Sequence, residues 1–351
     1  MKYFKKNPLL WILPFNLLNL FLIPLTDNEA YYWLWSRNPD FSYFDHPPLQ
    51  AWLTTISSYL IGMNPLSIRI WAIGSSIASL FLLFFYLRKK SEEAAWFACA
   101  LLVSSPMFIA FSIFAVPDIL FGLLGIGVLI SVNSKKYTLT GFLLGLAALA
   151  KWHSIILVPG IIYICWREEE FKDAVKYILW IGLICLIMQT PIVYWNYIHD
   201  WASFKFQILE RHSGRSFLWA KFPRRFSYYA GALIGLAGPL LIWATFKFKR
   251  EKNKKYFWEM IWWSVPCMLL FLKPAMMGLY RFYWLSWTII PFVIYLSRVV
   301  TPTPNILKKA IGFNIGIQVI WLVLILTPIA EFTRDKFVDF SDRKRPDWFL
   351  L

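Results

Sequence analysis

A polar stretch near the start of the chain, residues 26–49, combines acidic residues with aromatic ones and follows a long apolar run directly. It contains Asp27 and Glu29, and further on Asp45 and His46 before two prolines. Carboxylates and imidazoles transfer protons and hold phosphates or metal ions. At a membrane surface such groups are poorly solvated and usually serve function. The structural alternative is an ordinary polar loop within an aromatic belt.

Charged residues elsewhere in the chain are expected at the same membrane face. Asp118 follows an apolar run in a tight turn, and Lys151 lies in a Leu- and Ala-rich segment. A buried ammonium needs an anionic partner, which is either a carboxylate such as Asp118 or a phosphate, and we favour the phosphate. Arg281 is a second candidate for a phosphate contact, with snorkelling to lipid headgroups as its alternative. The second large polar loop adds His199, Asp200 and Arg211.

The elements that must position these residues are membrane-spanning helices. Of the 351 residues 58% are hydrophobic, which is far too apolar for a soluble globule. Apolar runs recur along the whole chain, and their number predicts an all-α polytopic membrane protein with about eleven spans. The net charge of +16 does not indicate nucleic acid, because the basic residues cluster between apolar runs in the positive-inside pattern.

The positions of the basic clusters predict the topology of a single transmembrane domain over residues 1–351. The protein is expected in the plasma or inner membrane of the cell. Its amino terminus is expected in the cytoplasm. The large loops, at about 26–64 and 196–225, and a short tail at 331–351 are expected on the external or periplasmic side. No large soluble domain is predicted.

Several helix boundaries follow from the apolar runs. The first span is predicted at about 8–25, and spans of single helices at about 94–114 and 174–195. Residues 50–60 are expected to form a short helix on the membrane surface. The segment 137–166 is too long for one span and short for two, so two short helices are expected to meet near Lys151.

The sequence resembles a known family at this point. The residues that carry the resemblance are 26–33, 43–49, 115–118, 146–151 and 191–204. Together they are similar to membrane glycosyltransferases of the C-type fold, in the superfamily of the protein O-mannosyltransferases and the lipid A aminoarabinose transferases (glycosyltransferase families 39 and 83). The resemblance covers roughly residues 10–212 well and the remainder only in general architecture.

The resemblance implies an inverting enzyme that moves a sugar from a polyprenyl-phosphate carrier to an envelope acceptor. Asp27 matches the acidic residue of the family's first external loop and is expected to act as the general base, with Glu29 holding acceptor or sugar hydroxyls. Many relatives carry Glu-Lys-Pro-Pro where this chain has Asp45, His46 and two prolines. His46 would then contact the phosphate as imidazolium, or would hold a divalent metal together with Asp45. No other cofactor is implied.

These roles give a set of candidate site residues. The expected catalytic residues are Asp27 and Glu29. The expected contacts to the donor phosphate are His46, Lys151 and Arg281. The expected further contacts to substrate are Asp45, Asp118, His199, Asp200 and Arg211. The expected partners are the lipid-linked sugar donor, a lipid, glycan or protein acceptor, and membrane lipids.

Two function classes compete with the transferase. A polyprenyl-linked lipid transporter or flippase would place its polar residues near the bilayer midplane and show a repeated half, whereas here they concentrate at one face. A noncatalytic scaffold would give no reason for three carboxylates, Asp27, Asp45 and Asp118, on one side.

Overall fold

The structure is a computed structural model in which the described residues are 17, 18, 20, 22, 23, 25–211, 218–246, 254–278, 281–300 and 305–326. Their regular secondary structure is entirely helical. This confirms the prediction of an all-α polytopic protein. Most of the first predicted span, the tail at 331–351, His212 and Arg215 lie outside the described residues.

The α-helices are numbered here in chain order over the described residues. They are α1 Asp27–Arg37, α2 Leu49–Ile61, α3 Pro65–Leu87, α4 Glu92–Val103, α5 Pro106–Ile113, α6 Pro117–Asn133, α7 Tyr137–Ala150, α8 Val158–Glu168, α9 Phe171–Met188, α10 Thr190–Ile198, α11 Ala202–Lys205, α12 Phe222–Phe246, α13 Lys254–Met276, α14 Ile289–Val299 and α15 Ile306–Leu326. Short 3-10 turns lie at Trp152–Leu157, Trp219–Lys221 and Phe282–Thr288, and a π-turn at Phe206–Glu210.

Among the described residues, two helices are long and apolar enough to cross a membrane unbroken, Pro65–Leu87 and Trp219–Phe246. Two further pairs qualify only if each bent pair is one span. Helices α4 and α5 are bent by 73°, and α9 and α10 by 47°. The prediction of single helices at 94–114 and 174–195 was therefore wrong, since each segment contains a break. Pro106 and Pro191 begin the second helix of each pair, and proline disfavours helical geometry at the residue before it.

The break between α4 and α5 lies against a kink in α12. Gly238 in α12 has φ +73, and a Cβ atom there would lie 2.7 Å from Pro106 Cδ. The hydroxyl of Ser105 donates a hydrogen bond of 2.7 Å to the carbonyl of Leu236. Two helices are thus interrupted at one place, and Ser105 provides a donor for a carbonyl of α12 close to its kink.

The segment 137–166 has the predicted architecture. Helix α7 ends at Ala150, Lys151 has extended backbone, and a 3-10 turn leads into α8. The start of α6 and the end of α7 consequently lie at the same end of a helical hairpin. This brings Asp118 and Lys151 together.

The segment after residue 26 is helical where the sequence indicated a loop. Thr26 and Glu29 form a capping box at the start of α1, in which each side chain accepts from the backbone of the other. The expected surface helix follows as α2. Asp27 therefore belongs to the first turn of a helix, and this fixes the direction of its side chain more firmly than a loop would.

Candidate active site

A buried ion pair fastens α1 to the rest of the bundle. The carboxylate of Glu29 accepts from Arg69 Nε at 2.7 Å and Nη2 at 2.8 Å, and both side chains are 0% exposed. Glu29 also accepts from the backbone nitrogens of Ala115 and Thr26, each at 3.0 Å. The expectation that Glu29 holds substrate hydroxyls does not fit this geometry, because its oxygens are already occupied. Glu29 instead joins α1 to α3 and to the segment before α6.

Asp27, two residues earlier in the same helical turn, has the opposite environment. Its side chain is exposed, and within the described part of the chain it has no hydrogen-bond or ion-pair partner. The amino-terminal end of a helix favours a carboxylate. The carboxylate of Asp27 is therefore accessible to a molecule outside the protein and free of competing partners among the described residues.

A cavity of about 430 Å³ lies beside this turn and extends between α5, α6 and α12. Its polar lining comes from Thr26, Asn28, Tyr32, Asp118 and Tyr283. The remaining walls are apolar and include Met107, Phe111 and Leu236. Asp27 is not among the lining residues, although both of its neighbours are. The cavity fits a molecule with one polar and one apolar part.

Asp118 and Lys151 form a second buried ion pair at the cavity wall. They are 6% and 5% exposed, and Lys151 Nζ contacts Asp118 Oδ1 directly. Ser286 Oγ donates to the same carboxylate oxygen at 3.4 Å. Of the two anionic partners that the sequence allowed for Lys151, the carboxylate is the one in contact. A phosphate can reach Lys151 only by sharing it with Asp118 or displacing it.

Asp45 is held in the loop between α1 and α2 by three hydrogen bonds. The hydroxyl of Tyr31 donates to Asp45 Oδ1 at 2.8 Å. The Asp45 carbonyl accepts from Trp152 Nε1 at 3.1 Å and Gln207 Nε2 at 2.8 Å. The loop that precedes the two prolines is thus fixed to the segment after Lys151 and to the second large polar loop.

His46 is the next residue of this loop. Its Nε2 lies 3.4 Å from the Tyr32 hydroxyl and 4.0 Å from Asp45 Oδ2. Burial lowers the pKa of His46; Asp45 acts to raise it, and the positive charges of Arg211 and Lys151 lower it further. The neutral imidazole is therefore favoured. Burial and the two cations oppose an imidazolium at His46, and its expected contact to the donor phosphate stays a prediction.

Asp45 and His46 do not complete a metal site. Within the described ranges, no group of three or more His, Cys, Asp or Glu side chains is arranged to hold a metal ion. The orphaned buried Nδ1 of His46 is the one feature that fits a ligand. One carboxylate and one imidazole are fewer ligands than a protein metal site usually has.

Arg211 brings a positive charge to the same cluster from the second large polar loop. Its Nη1 donates to Gln207 Oε1 at 2.6 Å, and its guanidinium lies 5.3 Å from the centre of the Trp284 ring. Burial lowers the pKa of Arg211, while the nearby Asp45, Tyr283 and Tyr32 act to raise it and Arg281 to lower it. Arginine stays charged under such shifts.

Arg281 is exposed and is close enough to Arg211 to influence it electrostatically. Its charge also acts on Tyr283, which lines the cavity. Arg211 and Arg281 thus both act electrostatically on one residue of the cavity lining, and the expected contacts of Arg281 to the phosphate and of Arg211 to substrate stay predictions.

His199 and Asp200 lie apart from this cluster. The ring of His199 stacks on Trp195 with centroids 4.0 Å apart, and its Nδ1 lies 2.8 Å from the Trp195 carbonyl. Asp200 is exposed with φ 51. No contact among the described residues joins either of them to Asp45, Lys151 or Asp118, so their expected role in binding substrate stays a prediction.

Sequence reasoning missed several residues of the site. Arg69 had a clear signal, since it is the one charged residue in the apolar run that became α3 and such a residue needs a partner. Tyr31 and Tyr32 lay within the first motif without an assigned role. Gln207 and Tyr283 carried no signal, because an amide or phenol in an aromatic-rich segment is ordinary.

The chain is similar in sequence to known glycosyltransferases. A family model described as dolichyl-phosphate-mannose-protein mannosyltransferase matches residues 45–195. The lipid A galacturonosyltransferase RgtD of Rhizobium johnstonii is 26% identical over 266 residues, which cover 71% of this chain and 54% of that protein. The chain thus spans about half the length of the curated relative that it matches.

The fold is similar to that of a solved membrane enzyme. ArnT from Cupriavidus metallidurans bound to undecaprenyl phosphate matches with a TM-score of 0.66 and 18% identity, over 92% of this chain and 64% of that one. Its apo structure matches with a TM-score of 0.58 and 17% identity, over 93% and 61%. Sequence and fold together confirm the resemblance to the C-type glycosyltransferase superfamily.

Proposed function

Since the chain resembles membrane glycosyltransferases in both sequence and fold, we propose that it transfers a sugar from a polyprenyl-phosphate-linked donor to a lipid acceptor at the outer face of the membrane. The observation that carries the proposal is the arrangement around the cavity. Asp27, an unpartnered carboxylate, lies between two residues that line the polar end of a recess with apolar walls. Two cations adjoin the same lining, since Lys151 contacts Asp118 and Arg211 is close enough to Tyr32 and Tyr283 to be influenced by them. A lipid-linked sugar phosphate has the same division into polar and apolar parts.

The reaction needs two contributions from the protein. The acceptor hydroxyl oxygen forms a bond to the anomeric carbon while the bond from that carbon to the phosphate oxygen breaks and leaves its electron pair on the phosphate. Asp27 takes the proton of the hydroxyl as general base. A single in-line displacement inverts the anomeric carbon.

The positive charges stabilise the departing phosphate. Arg211 can present two parallel N–H groups to phosphate oxygens, a geometry that lysine lacks. Lys151 supplies a second positive charge beside Asp118, which lines the cavity and holds the ammonium in place. Groups that are fixed before reaction act on the developing charge without reorganising, which is the main source of such stabilisation.

The relatives guide the choice of acceptor. RgtD is named a lipid A galacturonosyltransferase, and ArnT was solved with undecaprenyl phosphate. A lipid acceptor of the envelope and a polyprenyl-phosphate donor are therefore the substrates to test first. Hexose, pentose and uronic acid donors share the same phosphate group, so the sugar is identified by experiment.

The test compares envelope lipids by mass spectrometry in cells that express the wild type, Asp27→Asn or the control Asp173→Asn. Asp173 is an exposed carboxylate in the first turn of α9. We expect one glycolipid to lose a sugar in Asp27→Asn alone, with transfer reduced by about 10²-fold or more because the base is gone. Normal membrane insertion and an unchanged Tm are required of both variants. Equal profiles in wild type and Asp27→Asn, with demonstrated turnover by the wild type, would contradict the role of Asp27.

The transporter alternative is separated by the same pair of variants. A flippase would move a labelled polyprenyl-linked lipid across reconstituted vesicles, and Asp27→Asn would abolish that movement while leaving glycan transfer intact. A transferase loses transfer instead, and vesicle lipids keep their distribution.

A further inference from the structure

A second binding surface lies at the opposite end of the bundle from Asp118. Helix α6 is 17 residues long with Asp118 in its first turn, so its two ends are about 25 Å apart. Beyond that end, the first turns of α7 and the length of α9 enclose a groove of about 1000 Å³. We name it the lysine groove and define it by Lys136, Tyr137, Phe142, Tyr177 and Trp180.

The groove continues along α9 into an adjoining recess of about 650 Å³ that shares Tyr177 and Trp180 with it. Lys172 and Lys176 line the upper part of this recess, and Leu179 and Leu183 its lower part. Residues at such spacing lie on one face of a helix. The surface therefore changes from basic to apolar along α9.

Three lysines of this surface are free to bind an anion. Lys136, Lys172 and Lys176 are exposed, and none of them has an anionic partner in the part of the chain that the structure describes. Lys176 instead lies 5.9 Å from the ring of its neighbour Tyr177. Lys135 differs, since it pairs with Glu169 at 2.9 Å. Glu169, which also lines the groove, is thus paired with Lys135, whereas the other three lysines form no ion pair among the described residues.

The floor of the groove is rigid. Gly141 and Gly145 let α7 approach α9 closely, because a Cβ at either position would come within 3.0 Å of side chains of α9. Tyr137 stacks on Tyr177 with centroids 4.1 Å apart. Trp180 Nε1 donates to Thr138 Oγ1 at 3.1 Å. A ligand would thus find the groove already formed and would pay little ordering entropy on binding.

We propose that the lysine groove binds a phospholipid with an anionic headgroup, of the phosphatidylglycerol type, in the leaflet opposite to the catalytic cavity. The headgroup phosphate lies among Lys136, Lys172 and Lys176, and an acyl chain runs along Leu179 and Leu183. Trp180 lies at the level of the lipid headgroups, between the lysines and the acyl chain, where indole rings are favoured. Basic pockets between transmembrane helices bind anionic lipids by this combination of charges and apolar surface.

The charges distinguish this lipid from the others of a bilayer. A zwitterionic headgroup carries its own cation and gains little from three unneutralised lysines. The polyprenyl-phosphate donor is proposed to bind about 25 Å away along α6, so one molecule cannot occupy both places. The proposal is independent of the reaction that the chain catalyses.

The test uses the full chain in nanodiscs of phosphatidylcholine with increasing phosphatidylglycerol, and native mass spectrometry counts the lipids that stay bound after extraction. The variant Lys136→Gln/Lys172→Gln/Lys176→Gln removes the free charges of the groove. The control Lys89→Gln/Lys308→Gln/Lys309→Gln removes three exposed lysines outside it. The variant with arginine at positions 136, 172 and 176 keeps the charges.

We expect the wild type, the control and the arginine variant to retain phosphatidylglycerol in preference to phosphatidylcholine. The groove variant should lose that preference by about tenfold or more, since each basic residue adds to the attraction for an anionic headgroup. Equal retention by the groove variant and the wild type would overturn the proposal. So would an equal loss of the preference in the control.

Discussion

Two buried ion pairs lie near the candidate site, and they differ in how completely each is closed to other partners. Glu29 and Arg69 are both fully buried and bind each other through two hydrogen bonds, with backbone nitrogens occupying the remaining oxygen positions. Asp118 and Lys151 share a single contact, and Asp118 borders the 430 Å³ cavity. The closed pair has a structural role, and the open pair can exchange a partner with a ligand.

The closed pair should be the more costly to break. Replacing Arg69 with Met leaves the Glu29 carboxylate buried without a counter-charge, so we expect a loss of roughly 3–5 kcal/mol in the free energy of unfolding. The midpoint of thermal unfolding in detergent measures it. Arg69→Met/Glu29→Gln should recover part of the loss, and Arg37→Met, at the exposed end of α1, is the control. An unchanged Tm for Arg69→Met would show that the pair is not structural.

The open pair should affect activity more than stability. Lys151→Met and Asp118→Asn should each lower Tm less than Arg69→Met, because the charge left behind lies at the cavity wall and can be hydrated. The double variant should regain most of the stability and still transfer sugar about tenfold or more slowly, since a charged contact to the phosphate is missing. Wild-type transfer by the double variant would mean that Lys151 has no role in catalysis.

Arg211 should affect binding of the donor. Arg211→Gln should raise the KM for the polyprenyl-linked donor by about tenfold, and Arg211→Lys should recover only part of that, because lysine lacks the planar pair of donors. KM and kcat are measured with detergent-solubilised donor of varied concentration. A fall in kcat with KM unchanged would instead place Arg211 at the transition state alone.

The smallest effect concerns pH. Because the pKa of His46 is lowered in the folded protein, the unfolded chain binds its proton first as the pH falls through the ordinary histidine range near about 6.5. Stability is therefore complete at higher pH and declines as the pH falls through that range. His46→Gln should make the slope of Tm against pH shallower between about pH 5 and 7. An identical slope would mean that another group causes the decline.

The sequence predicted those features that depend on local pattern. The helical architecture, the junction at Lys151 and the nearness of Asp118 followed from apolar runs, a tight Pro-Asp turn and the sidedness of charge. The T-x-x-E capping box at Thr26 was present in the sequence as well, and reading it would have predicted α1.

Other features depend on contacts between distant residues. The bonds from Glu29 to Arg69 and to the Ala115 nitrogen join three segments that nothing in the local sequence connects. The bend between α4 and α5 depends on Gly238 in α12, which lies against Pro106. The direction of the His46 pKa shift follows from burial, which a motif alone does not reveal.

The paired interruption of α4–α5 and α12 has a consequence for how a substrate arrives. Residues of α5 and α12 on either side of the interruption, among them Ala110, Phe111 and Gly235, form walls of the cavity. If the donor carries a polyprenyl tail, that tail can enter sideways between these two helices without leaving the bilayer. The donor then reaches the site by diffusion within the plane of the membrane. The rate of encounter is set by the density of donor in that plane and not by its concentration in water.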